Sequence, residues 1–470
     1  SGTCQINKKL DPNNECQLCD VSKSQTAWSN QPSTKGCKSD NLWCTADTCN
    51  SGKCEHVINS GCLLNGKCLP EGEIQPGNSC MECVGATTRT AYTFVAGKPC
   101  PTAGTLAGMC LSNGCKGWKE SFFQPQGSLI TELNAVEYVP NASQMWAAGR
   151  SYAAGTYKGV LVQVDSTAST LPTTTTPHAL EDMSYNLAVG LKGQLYRHSG
   201  SAWMKPSTSG FPAGTDRHSV WGALSGTNEV YIIGGAHVAT AAGIYGCAYV
   251  STGALTCSTQ KGFGAQELIG SLFGDLGSGT GGSVWGAVRA PTTGGLEHIY
   301  YNDLSSTTWS KAPPVGCTDG GVTGTSVCSS PLTTTSRLGG SGPKDVWLVG
   351  SKGLIMWFDG TKWSGLANVI QNQTTYSFDA VFSSPASKLV TIVGRQDSLT
   401  GRALVLFNYN SLLKRWLGPV VIHNAGTSNF MDFGRDINGT GYANLWIVGN
   451  RVPITAPASA YTSGWILSLQ

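Results

Sequence analysis

The chain has 470 residues, a formal net charge of +3 and only 13% charged residues. Such a length exceeds one small core and predicts two or more domains, while the near-neutral balance, with no Lys/Arg run longer than two, gives no footprint for nucleic acid or an anionic membrane. No run of about 18 apolar residues is present, so no helix is expected to span a bilayer. The 60 glycines beside 40% apolar residues suit short strands and tight turns.

Cysteine usage comes first in chain order. Fourteen of the 18 cysteines fall between Cys4 and Cys115: Cys4, Cys16, Cys19, Cys37, Cys44, Cys49, Cys54, Cys62, Cys68, Cys80, Cys83, Cys100, Cys110 and Cys115. The other four are Cys247, Cys257, Cys317 and Cys328. An even, dense set in a stretch poor in aliphatic residues implies disulfides and an oxidising, extracellular compartment. Cys4, Cys16, Cys19 and Cys37 recur as Cys68, Cys80, Cys83 and Cys100 at offsets of 64, 64, 64 and 63, and the Cys44/Cys49 spacing recurs as Cys110/Cys115. Residues 1–61 and 62–116 are therefore read as two copies of one small module, each too poor in apolar residues to fold without staples. Zinc is the competing reading of Cys16-x2-Cys19 and Cys80-x2-Cys83, but the remaining cysteines are spread singly instead of forming a second close pair. Spacing leaves the pairing open. Cys62 has no counterpart in the first copy: either that copy dispenses with it, or the chain is a piece of a longer protein with further modules upstream, the reading favoured here.

The phrase Asn13-Asn14-Glu15-Cys16-Gln17-Leu18-Cys19-Asp20, with Ala27-Trp28-Ser29 after it and Cys62-x5-Cys68-x11-Cys80-x2-Cys83 downstream, resembles a cysteine-rich repeat of large extracellular proteins. Such repeats occur in myxobacterial surface proteins and in algal mastigoneme proteins. The resemblance covers about a quarter of the chain and implies a structural role at a cell surface.

From about Leu133 a phrase recurs seven times, a short β-rich run ending in glycine. The glycines are Gly149, Gly190, Gly234, Gly286, Gly350, Gly394 and Gly449, spaced 41, 44, 52, 64, 44 and 55 residues apart. A second apolar strand follows each, then a short strand that carries Trp203, Trp309, Trp363 or Trp416. These periods bracket a four-stranded propeller blade and predict an all-β, seven-bladed β-propeller over residues 117–470. The longest gap holds Cys317 and Cys328, expected to tie off an inserted loop. Asp345–Trp363 also resembles the propeller repeats of bacterial extracellular proteins. The last unit stops after three strands, and Gly117-Trp118 to Phe123 reads as its missing outer strand, so residues 117–125 should pair beside Trp465–Leu469 and close the ring. The stretch Pro172–Pro177 reads as a polar loop.

Chemistry is sparse. His218 precedes a predicted inner strand and is placed to face the channel, although a solvated turn is the blander reading. Asp182, Asp275, Asp379, Asp432 and Asp436 sit near strand ends; such carboxylates serve structure, bind calcium or act as a glycosidase pair. Asp359-Gly360 with Trp363 matches part of an aspartate box that no other blade repeats. No serine, cysteine or histidine catalytic motif is present, and no cofactor is called for. Asn141, Asn372 and Asn438 head candidate N-glycosylation sequons. The expectation is a secreted, non-enzymatic structural or adhesive subunit of a cell-surface appendage or filament, partnered by itself or by other surface proteins. The alternative is a carbohydrate-binding or glycan-processing propeller with glycans as partners.

Overall fold

Alternation along the strands is resolved, in a computed structural model of the chain, into seven sheets built on four antiparallel strands, one of them widened to five by the parallel strand Ser207–Ser209 and one to six. The structure describes residues 6–469 except 103–105, 112–113, 123–128, 154–155, 165–172, 213, 238–239, 251–252, 263–267, 277–281, 290–295, 305–307, 312–335, 367–368, 385–388, 399–400, 425–429, 441–443 and 454–462. Two compact units result: Ser1–Ala96 with Ser112–Cys115, and Gly97–Leu111 with Lys116–Gln470.

The second unit is the seven-bladed propeller. Blade 1 runs Leu129–Val139, Gln144–Ala153, Thr156–Val164 and Thr173–Thr176 from the channel outward. The innermost strands of blades 2 to 7 are Leu180–Ser184, Asp216–Ser225, Leu268–Asp275, Ser336–Gly342, Tyr376–Ser384 and Phe430–Gly439. The expected loop at Pro172–Pro177 is corrected: Thr173–Thr176 is blade 1's outer strand, because β-branched threonines pair readily with Gly159–Val162.

Because side chains alternate, each blade offers one apolar row to each neighbour. In blade 1, Met145 and Ala147 pack with Val448 and Ile466 of blade 7. The intervening Trp146 and Ala148 pack with Leu180, Met183 and Ala188 of blade 2. Blades 2 and 3, 3 and 4, 4 and 5, and 5 and 6 meet the same way. Fully burying one such side chain contributes roughly 1.5–3 kcal/mol.

The ring closes as the sequence predicts. Trp118 to Phe122 pair antiparallel with Leu469 to Trp465, so blade 7 takes its outer strand from the N-terminal side of the propeller. Two further strands, Gly108–Leu111 and Pro99–Cys100, extend that sheet to six. The boundary between units therefore falls before Gly97, not at residue 117. Asn408 of blade 6, wholly buried, donates through Nδ2 to Gly97 O (2.9 Å) and accepts from Thr391 Oγ1 (2.5 Å).

The recurrent glycines have a steric cause. The innermost strand bulges between Leu133 and Ala135, between Leu180 and Asp182, and between Gly434 and Asp436. Each bulge drives backbone against the second strand, where a Cβ on Gly149, Gly190 or Gly449 would lie 2.1, 2.1 or 1.9 Å from a carbonyl oxygen.

In the first unit short hairpins are held by disulfides. Cys16 pairs with Cys49, Cys37 with Cys54, Cys44 with Cys68 and Cys62 with Cys83. Among the described residues no cysteine is free, and Cys19, Cys80, Cys100, Cys110 and Cys115 are also bonded; this replaces the zinc reading. Cys44–Cys68 ties the first copy to the second, a cross-link of 24 residues, worth roughly 3 kcal/mol. The repeat register is also corrected. Cys49 N–H donates to Lys35 O (2.8 Å) and Cys110 N–H donates to Lys98 O (2.9 Å), so Cys110 and Cys115 match the hairpin pair Cys49 and Cys54, which face each other across strands. In the propeller, Cys247–Cys257 bridges directly opposed residues of blade 3. Cys4, Cys317 and Cys328 lie outside the described residues.

Replacing Asn408 by alanine takes away the donor to the buried Gly97 carbonyl, a cost of about 1–3 kcal/mol. The expected outcome is a lower Tm together with faster amide exchange over residues 97–111, read by hydrogen-exchange mass spectrometry; unchanged exchange there would refute the anchoring role.

Candidate functional site in the propeller channel

The innermost strand of every blade has one edge paired and one edge facing the channel, and backbone N–H groups on that free edge need acceptors. Side chains of the preceding blade supply them. Val136 N–H donates to Asp436 Oδ2 (2.9 Å), Val220 N–H to Asp182 Oδ2 (2.9 Å) and Leu338 N–H to Ser271 Oγ (3.0 Å). Asp436, Asp182 and Ser271 each directly follow the bulge of their strand, so the bulge aims them at the next blade. One step along, Gly222 N–H donates to Ser184 Oγ (3.1 Å), and Glu137 accepts from the Tyr185 amide.

The bulged residues form a second polar layer. Arg435 of blade 7 reaches Glu132 of blade 1 (2.8 Å), which Arg150 also contacts. Asp379 receives two bonds from Arg395 Nη1 (2.8 Å each). Asn134 Nδ2 donates to Leu180 O (2.9 Å), and Arg337 Nη1 donates to Gly270 O (3.2 Å). His218 is the bulged residue of blade 3, half-buried within Asp216–Ser225 and not in a turn before it.

The channel holds a cavity of about 290 Å³. Glu137, Asp182, Asp436, Asn438 and Arg337 line it together with Trp221, Phe273 and Phe382. Burial lifts Asp182 to about 7, with Asp436 adding to the rise and Arg337 opposing it. Burial also lifts Asp436 to about 6 against the bond from Val136. Glu137 is pushed well above the usual carboxylate range by burial, then by Asp436 and Asp182. Glu181 is lifted to about 7 by burial and by Glu132.

Of the residues singled out in the sequence, Asp182 and Asp436 thus fall among the ties that follow the bulges, and Asp379 and His218 are bulged residues themselves. Asp275 ends blade 4's innermost strand, and the Asp432 side chain lies outside the described residues. Asp359 accepts from Thr361 Oγ1 (2.6 Å) and from the Thr361 and Lys362 amides, a turn clasp that holds its carboxyl down at about 2. Sequence reading missed Glu137, Glu181 and Arg337, which sit on innermost strands without an aliphatic run. Of the sequon asparagines, Asn438 Nδ2 contacts Glu137, and Asn141 Nδ2 donates to His198 O (3.0 Å) and Glu229 Oε1 (3.3 Å). Asn372 stands exposed at a left-handed turn. In the first unit, His56 Nδ1 lies 2.7 Å from Asp47 and 3.8 Å from Asp40, and the Asp47 bond raises the imidazole pKa.

No protein-family profile matches the chain, and no curated protein matches it. Among solved structures, 322 chains match. They include YCF48 bound to D1 peptide, with a TM-score of 0.47 and 12% identity over 75% of this chain and 96% of that one. The RRP9 WD40 repeats give 0.46 and 9% over 75% and 97%, and the WD40 β-propeller domain of Doa1 gives 0.42 and 12% over 76% and 97%. At such identities the likeness concerns the fold alone.

The raised carboxyls fix a sign for stability against pH. Asp182 and Asp436 hold protons up to about 7 and about 6 when folded, whereas an unfolded aspartate releases its proton near 4. Between these values the native state binds more protons, so stability falls as pH rises from about 4 to 7. Urea unfolding midpoints should decline across that window and flatten in Asp182→Asn with Asp436→Asn, which keeps an acceptor for each amide; an identical slope in the double variant would rule this out.

Proposed function

We propose that the chain is a non-enzymatic, extracellular structural or adhesive protein, a subunit or head of a cell-surface appendage or filament. In this reading it assembles with itself or with other surface proteins through its cysteine-rich modules. The observation that carries the reading is how the modules are built. They replace an apolar core with disulfides, and they leave Ile6, Leu10, Val21, Trp43, Val57 and Ile74 exposed, Trp43 by 59%. Among the described residues, the much longer propeller unit leaves seven large apolar side chains so exposed. Apolar side chains held outward on a stapled frame suit a neighbouring subunit. Use of the channel aspartates as ties between blades is in keeping with a structural head. The oxidised cysteines fit secretion, and among the described residues no helix is long and apolar enough to cross a membrane.

Negative-stain electron microscopy of native material, extracted without reductant, tests the proposal. Filaments or ordered arrays that fall apart on reduction are expected; particles that stay single at high concentration, with and without reductant, would overturn it.

A glycan-binding propeller is the second reading, favoured by one feature. Tyr152 and Tyr157 face each other across a blade 1 hairpin with centroids 4.9 Å apart, both over 40% exposed, and Arg150 lies 5.3 Å over Tyr157. Exposed paired rings beside a cation are the grip that sugars take. A glycan array should then give a binder whose signal falls about tenfold or more in Tyr152→Ala with Tyr157→Ala, a loss of roughly 1.4 kcal/mol; an array without a binder removes this reading.

A further inference from the structure

We propose that Arg217 forms a binding site, between blades 2 and 3, for the carboxylate of a small molecule. The residue just before the bulge of an innermost strand turns into the space between blades. Blades 1, 2, 4 and 6 fill that position with Leu133, Leu180, Ile269 and Phe378, all wholly buried in apolar clusters. Blade 3 has Arg217 there, the least exposed arginine among the described residues at 3%. Its Nε and Nη1 are shut off from solvent and have no hydrogen-bond partner among the described residues. Burial presses its pKa down to about 10, opposed by Tyr245 and by no carboxylate. Arg150, Arg197, Arg395, Arg435 and Arg451, all more exposed, each reach an acid. A buried guanidinium without an anion is costly, and a leucine would serve the packing as it does in blades 1 and 2.

The same pair of blades shows what such a guanidinium takes. Arg197 lies over the Tyr249 ring, 3.8 Å from its centroid, and its Nε and Nη2 grip the Glu229 carboxylate at 2.6 Å each. Arg217 lies over the Phe211 ring, 4.0 Å from its centroid, and Phe211 packs on Tyr245. One face of the guanidinium is therefore covered by a ring as in Arg197, while its nitrogens meet no acid. Two glycines in left-handed turns leave room beside them. A Cβ on Gly193 (φ +78°) would lie 3.3 Å from Arg217 Nη1 and 3.4 Å from the Gly214 amide nitrogen, and a Cβ on Gly214 (φ +72°) would meet nothing within 4 Å. Guanidinium and amide thus border one narrow gap that opens on the Gly214 side. Nη2 is the guanidinium nitrogen that is neither bonded nor shut off, so the ligand enters end-on, against Nη2 and Nη1. So enclosed an edge excludes a folded partner's surface and suits a small acid, whose two planar oxygens match the planar fork.

Isothermal titration and thermal unfolding of the full chain at constant ionic strength test this, with acetate and glucuronate beside the neutral analogues acetamide and methyl glucoside. A carboxylate should bind at millimolar concentration or below and raise the Tm, and the neutral analogues should do neither. Tighter binding of acetate marks a free small acid as the source of the carboxylate, and tighter binding of glucuronate marks an acidic sugar. Arg217→Leu should fold with a Tm no lower than that of the parent and lose acid binding about tenfold or more. Gly193→Ala, whose methyl group enters the gap, should weaken the acid about tenfold whatever the fate of the first variant. Equal binding of acid and neutral analogue would overturn the proposal. So would unchanged acid binding in either variant, inorganic phosphate binding tighter than both acids, or no acid binding at tens of millimolar.

Discussion

Seven free strand edges meet around one channel, and the molecule is arranged to satisfy them. An innermost strand pairs on one side only, so its other row of N–H groups points into the channel and needs acceptors. Propeller symmetry offers a repeated remedy, a short polar side chain from the preceding blade. Asp436 serves Val136, Asp182 serves Val220, Ser271 serves Leu338 and Ser184 serves Gly222. A regular strand would turn those side chains between the sheets. The bulge just before Asp182, Ser271 and Asp436 re-aims them, and the glycine opposite is the room that the bulge needs at Gly149, Gly190 and Gly449. Sequence period, bulge and tie are therefore one constraint seen at three levels.

This explains what was legible. The second strands announce themselves because they are buried on both faces and read as aliphatic runs ending in glycine, as in Leu445–Pro453. The closing strand was legible because Trp118 repeats the outer-strand tryptophan where a unit was one strand short. Innermost strands are polar and broken by bulges, so Glu137, Glu181 and Arg337 carry no periodic signal and emerge only when blades are placed side by side. Thr173–Thr176 misled for the opposite reason. Its composition is that of a loop, yet its threonines pair with Gly159–Val162, and position in the sheet overrides composition.

In the cysteine-rich region spacing alone misplaced the register of the second copy by one cysteine. Cys44–Cys49 and Cys49–Cys54 have the same spacing, so Cys110–Cys115 fits either. The main chain decides between them: Cys49 and Cys110 donate to the carbonyls of Lys35 and Lys98, each two residues before the cysteines Cys37 and Cys100. Cys44 is then left over within its own copy and is used between copies, on Cys68. Because each module buries little apolar surface, that cross-link does what a shared core does in larger domains, and it frees side chains such as Trp43 to face outward.

The ties around the channel also set its electrostatics. Serine can accept a backbone N–H as well as aspartate does, and blade 4 uses Ser271. Stability of the ring alone therefore does not require acids at Asp182 and Asp436, where the same bond is made at the expense of burying a charge. Glu137 adds a third acid on the next turn of the lining, beside Asn438. Two other buried carboxylates of the propeller come with a guanidinium, Glu229 with Arg197 and Asp379 with Arg395. The blades thus hold both solutions, a neutral tie and a compensated acid, and the channel uses neither for these three side chains.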